Sequence, residues 1–149
     1  MQYGWGKAED GFTLLEALVV IAIISFVVAI TPYAYTRFIP QYQMKQFAYT
    51  VANNARSLRI QAAEEQRITR LEIVEGRQIR IVGTDEFLDA PTGTELDFNP
   101  NSLWPEEANN QVVFYPGGGS SGGEITLRNG RLSIDLKVNW VSGAVDVEL

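Results

Sequence analysis

Three hydrophobic patterns follow one another along the chain, and each predicts a different element. From Phe12 to Ile30 the side chains are apolar except for Thr13, Glu16 and Ser25. At ~1.5 Å per residue this run makes a helix of ~28 Å, close to the ~30 Å hydrocarbon core of a bilayer. Residues 41–66 then repeat apolar side chains at spacings of three and four: Met44, Phe47, Ala48, Val51, Ala55, Leu58 and Ala62. That period predicts an amphipathic helix whose stripe packs on a sheet, with Asn53, Asn54, Arg56 and Glu64 on the solvated face. Pro32 and Pro40 fall between the two runs. Proline inside a helix removes a hydrogen bond and favours a kink, but the period beyond them predicts that the helix continues.

After Gln66 the period becomes two. Thr69–Val74 and Gln78–Val82 read as strands around Glu75-Gly76-Arg77, a tight hairpin. Residues 83–110 are rich in turn formers, and only Glu95–Phe98 reads as a short strand there. Gln111–Tyr115, Glu124–Arg128, Arg131–Trp140 and Ala144–Leu149 complete the β pattern, with hairpin signals at Asn129-Gly130 and Ser142-Gly143. The expected fold is α+β: a long N-terminal helix packed on an antiparallel sheet. The expected organisation is a leader over 1–11, a transmembrane helix over 12–31, an amphipathic helix over 32–66 and a β head over 67–149.

Composition narrows the chemistry. The 149 residues include no cysteine and no histidine, which removes a disulfide framework, the commonest zinc ligands and the commonest general base. The net charge of −6 is unevenly spread. Residues 37–80 hold eight Lys/Arg against four Glu, a net +4, and residues 81–149 hold three basic against eleven acidic side chains, a net −8. This polarity either orients stacked copies, basic stem toward acidic head, or is a solvated surface. No strongly basic face suits nucleic acid. Gly117, Gly119 and Gly122 satisfy a GxGxxG spacing, but a dinucleotide site needs a helix next, and Glu124–Arg128 reads as a strand. Gly118, Ser120 and Gly122 satisfy GxSxG without the histidine that a nucleophile elbow requires. The run is expected to be a flexible loop between strands. Asp85, Glu86 and Asp89 are candidate calcium ligands, but three carboxylates fall short of the six to eight oxygens calcium takes, so a solvated acidic loop is the expectation. Trp104 and Trp140 are expected in the core or at its rim.

Glu16 is the residue the pattern does not absorb. A carboxylate at the centre of a membrane helix costs roughly 2.5–3.5 kcal/mol, somewhat less near an end, so it invites a partner. No small-x-small site follows the apolar run, which argues against removal of that run as a signal peptide.

Gly11-Phe12-Thr13-Leu14-Leu15-Glu16, continued by ALVVIAII, resembles the N-terminal signature of the type IV pilin and pseudopilin superfamily. The resemblance implies cleavage between Gly11 and Phe12 by a prepilin peptidase and N-methylation of Phe12. It also implies that Glu16 pairs with the Phe12 amine of a neighbouring subunit. Such an amine, of pKa ~7.7–8, is mostly cationic at neutral pH and keeps its charge when methylated. The leader departs from the usual basic pattern, since Lys7 faces Glu9 and Asp10.

Two further segments resemble the GspH/FimT family of minor pilins and pseudopilins. One is Phe114-Tyr115-Pro116-Gly117 with the Ser/Gly run before Ile125-Thr126-Leu127; the other is Val138–Val145 with its Ser142-Gly143 turn. DNA-binding members carry arginines after that turn, where this chain has Ala144 and Asp146. The better match is the H-type minor pseudopilin of type II secretion. That resemblance implies a structural subunit near a pseudopilus tip that drives export of folded proteins, and not an enzyme. The alternative is a FimT-like minor pilin of a type IV pilus, serving DNA uptake or adhesion. Implied partners are other pseudopilins, prepilin peptidase, the inner-membrane assembly platform and membrane lipid. No cofactor or metal is implied. The implied location is the bacterial inner membrane, single-pass, with the head in the periplasm.

Overall fold

The computed structural model describes residues 12–101 and 110–149, with side chains left undescribed over 30–38. One helix, α1, runs from Leu14 to Glu64 through both prolines. The chain divides into two compact units, residues 1–38 and 39–149. In the second unit, Met44, Ala48, Val51, Ala52, Ala55, Leu58 and Ala62 are buried together, as their spacing predicts. α1 ends in a left-handed residue, Gln66, at φ 51°. There the Arg67 N–H reaches back to the Ala62 carbonyl and the Gln66 amide to that of Ala63, so the last carbonyls are satisfied.

Among the described residues eight strands follow: β1 (Thr69–Val74), β2 (Gln78–Val82), β3 (Phe87–Asp89), β4 (Glu95–Asn99), β5 (Gln111–Phe114), β6 (Gly123–Asn129), β7 (Leu132–Val138) and β8 (Val145–Glu148). They form two four-stranded antiparallel sheets, ordered β3-β2-β1-β5 and β4-β6-β7-β8, where the sequence suggested one. Alternation tells which side chains turn inward but not which strand pairs with which. The inward residues of both sheets, among them Leu71, Ile79, Phe114, Ile125, Leu127 and Leu136, join the α1 stripe in one core. β3 went unread because three residues are too few to show a period; it pairs with β2 and packs Leu88 against the core. The second hairpin is shifted by one residue from its sequence signal. Asn129 pairs with Leu132, so Gly130-Arg131 makes the turn and Gly130 takes the positive φ. The Asn129 amide is free to bind the Thr92 carbonyl and Thr94 Oγ1.

Two hydrogen bonds fasten α1 to the sheets. Buried Thr69 donates to the Leu58 carbonyl at 2.8 Å, and the Arg56 guanidinium donates to the Val145 carbonyl at 2.6 Å.

Candidate functional site

At the N-terminal end, Gly11 lies outside the described residues, as do the rest of the expected leader and Trp104. Phe12 is exposed just ahead of the helix, and Thr13 is its N-cap: the Thr13 hydroxyl accepts the Glu16 N–H at 3.2 Å. Thr13-x-x-Glu16 is half of a capping box, a signal present in the sequence that the intramembrane reading of Glu16 overlooked. A carboxylate in the first turn also suits the positive end of the helix dipole. These local roles do not occupy the charge. The Glu16 side chain is exposed and forms no ion pair among the described residues.

Around it Phe12, Leu14, Leu15, Leu18, Ile21, Ile23, Ile24, Phe26, Val27 and Val28 are all exposed. Within this apolar run Ser25 turns its hydroxyl inward to the Ile21 carbonyl. Among the described residues no helix is long and apolar enough to cross a membrane.

The glycine-rich run is not the flexible loop that its composition suggested. Ser121 is fully buried: its Oγ accepts the Val113 N–H at 3.1 Å, and its N–H donates to the Val113 carbonyl at 2.8 Å. Ser120 bridges to Phe114 and donates to the Trp140 and Asn139 carbonyls. The run therefore closes the free edge of β5 and ties it to the β7–β8 turn. Close approach explains two of its glycines: a Cβ on Gly123 would sit 2.8 Å from the Phe98 ring, and one on Gly122 2.9 Å from Trp140. Gly143, at φ +64°, packs within 2.8 Å of the Gly118 carbonyl and 3.0 Å of Arg59 measured from an added Cβ. The two C-terminal segments singled out in the sequence thus meet in one corner of the head.

The remaining candidates stay apart from these. Asp85, Glu86 and Asp89 are exposed, with Asp89 accepting a hydrogen bond from Gln78, and no metal-holding group of acidic residues occurs among the described residues. The suggested basic stem is corrected. Arg70 and Arg80 lie in β1 and β2, and Arg67 and Arg77 flank those strands, so half of the basic set belongs to the head. Arg80 pairs with Glu72 and Arg67 with Glu65, which spends much of that charge locally. The other sheet is acidic on its outer face, where Lys137 sits between Glu148 at 2.6 Å and Glu124 at 3.9 Å. The bond that Lys137 donates to Glu148, with the carboxylates around it, raises the Lys137 pKa above its ordinary 10.5.

Residues 6–31 match the model of the prokaryotic N-terminal methylation motif. In structure the chain is similar to the type IV minor pilin FimU of Pseudomonas aeruginosa (TM-score 0.57, 11% identity). That match covers 75% of this chain and 92% of FimU. It is equally similar to the minor pseudopilin EpsH from the type 2 secretion system of Vibrio cholerae (TM-score 0.56, 12% identity), over 71% of this chain and 96% of EpsH. The chain carries that motif ahead of a pilin-like fold. Identities this low carry the fold alone, and the methylation motif is confined to the N-terminal segment. No curated protein sequence matches this pilin-like chain.

Proposed function

We propose that this chain is a minor pseudopilin of a type II secretion system, a structural subunit at or near the pseudopilus tip. The observation that carries an assembly role is Glu16: a carboxylate with no ion pair among the described residues, set in a helix of exposed apolar side chains. A bilayer covers such a sleeve before assembly, and neighbouring helices cover it afterwards. Cleavage between Gly11 and Phe12 would expose a cationic amine, N-methylated in the mature chain. A low-dielectric surround strengthens attraction between that amine and the Glu16 of the next subunit. Prepilin peptidase, an inner-membrane platform and other pseudopilins are the partners this mechanism requires. The head would lie in the periplasm.

The likeness to FimU supports a second reading, a minor pilin of a type IV pilus. A DNA-uptake role has less support. Asp146 is exposed on an acidic sheet face, where the DNA-binding pattern would place an arginine.

The deciding experiment is Glu16→Ala in the full chain with its assembly machinery. The variant is expected in the membrane fraction but absent from sheared filaments, with export lost. Normal incorporation and export would contradict the mechanism. Loss of pilus-dependent traits with export intact would favour the second reading.

A further inference from the structure

The β1–β2 turn and the segment that leads from β3 into β4 enclose a pocket of about 270 Å³. The turn supplies Arg77, and the segment supplies Pro91, Thr92, Gly93, Thr94 and Glu95. Both sides are fixed by the fold. The β1–β2 turn is held by three backbone bonds: the Arg77 N–H donates to the Val74 carbonyl, the Ala90 N–H to the Arg77 carbonyl and the Leu96 N–H to the Gly76 carbonyl. On the other side Pro91-Thr92-Gly93-Thr94 is a β-turn, closed by the Thr94 N–H on the Pro91 carbonyl at 2.9 Å, with Gly93 at φ 78° in the position that requires it. The Asn129 amide clamps this turn from β6 through the Thr92 carbonyl and Thr94 Oγ1. Groups held this firmly need little ordering when a ligand arrives.

The lining holds donors that the fold does not use. Thr94 is only 4% exposed; its Oγ1 accepts from Asn129, and its own proton meets no acceptor among the described residues. A hydroxyl proton rotates to suit an incoming acceptor. Arg77 forms no ion pair among the described residues, although acidic side chains outnumber basic ones by eighteen to twelve in this chain. A guanidinium offers a planar fork of donors that matches the paired oxygens of a carboxylate or a phosphate. Charge and size choose between the two. Glu95 offsets Arg77 in the lining, so a phosphate group of about −1.5 to −2 meets excess like charge where a singly charged carboxylate does not. The volume is just below the ~300–1,000 Å³ of drug-sized sites, which suits a group of side-chain size.

We propose that this pocket binds a single carboxylate, gripped by the Arg77 guanidinium and by the Thr94 hydroxyl. The carboxylate belongs either to a small free acid or to a glutamate-type side chain displayed by another protein, and the recognition chemistry is the same for both. The site lies wholly in the head and uses neither Glu16 nor the apolar run, so it goes beyond the assembly mechanism and fails independently of it.

Titration of the isotope-labelled full chain in detergent reads the site by NMR through the Gly93 and Thr94 amides. The probes are sodium propionate and, separately, the blocked peptide acetyl-Ala-Ala-Glu-Ala-Ala-amide. Saturable shifts in the millimolar range are expected. Arg77→Gln should weaken binding about tenfold or more, and Thr94→Val about fivefold. Arg77 is exposed and outside every printed ion pair, so Arg77→Gln should melt like the parent, which separates loss of the site from loss of the fold. Saturation by propionate, with or without the peptide, supports the site and assigns a free acid to it. Saturation by the peptide alone supports the site and assigns a carboxylate carried on a protein. The proposal is overturned if neither probe saturates, if binding survives Arg77→Gln, if the glutamine version of the peptide binds equally, or if inorganic phosphate binds more tightly than both probes.

Discussion

Replacing Ser121 by alanine tests whether the glycine-rich run is built structure. The Ser121 side chain is fully buried, and its Oγ is the partner of the Val113 N–H at 3.1 Å. Val113 turns that N–H away from β1, so the pairing of the sheet cannot satisfy it. Ser121→Ala therefore removes that hydrogen bond and the long 3.4 Å one donated to the Gly122 carbonyl, and it strands a buried donor, which costs about 1–3 kcal/mol. The backbone bond from the Ser121 N–H to the Val113 carbonyl survives, so the loss is partial rather than complete. At ~4 °C per kcal/mol for a unit of this size, the melting temperature should fall by about 4–12 °C. Thermal unfolding of the full chain in mild detergent, followed by near-ultraviolet circular dichroism, gives the number. Amide exchange at Val113 should quicken at the same time. Gly117→Ala is the companion control: the site is open and its φ ordinary, so a surface-type effect within ~0.5 kcal/mol is expected. If Ser121→Ala melts like the parent, the run is not folded as described and the corner it builds is not a rigid one.

Other perturbations follow from the same geometry. Gly143→Ala combines a left-handed φ of +64° with a Cβ placed 2.8 Å from the Gly118 carbonyl, and should cost about 1–3 kcal/mol or more in a thermal melt. Phe114→Ala, at a fully buried position, should cost about 3–5 kcal/mol by the same measurement. Thr69→Val breaks the buried bond to the Leu58 carbonyl and should cost about 1 kcal/mol, measured as a shift in denaturation midpoint. The Lys137 amine should titrate above 10.5 by NMR and return toward that value in Glu148→Gln. Since folding raises this pKa, its stabilising contribution is complete below the ordinary lysine value and fades as pH climbs through the folded one.

How far the chain announces its own structure depends on how local each cause is. The α1 stripe was legible because Met44, Val51, Ala55 and Leu58 face one way by helical geometry alone. The hairpin strands were legible because Leu71, Ile73, Ile79 and Ile81 alternate inward. The glycine run misled because its constraints come from Val113, Phe98 and Trp140, far away in sequence, and composition registers only its freedom. Phe87–Asp89 was invisible for want of length. Among the site residues, Phe12 and Glu16 could be named from the signature they share, while the capping role of Thr13 was in the same six letters and was passed over.

The crossing between sheets has a consequence for biosynthesis. β4 joins a different sheet from β1–β3, β5 returns to the first sheet, and β6–β8 go back to the second. While the chain is being threaded out from its amino end, β4 therefore waits without a neighbour until β6 emerges, and β1 keeps one side open until β5 arrives. Neither layer can be finished early, because each holds a piece of the other's interval. Pairings this distant along the chain form slowly. Loss of the residues from β5 onward would therefore leave both layers incomplete.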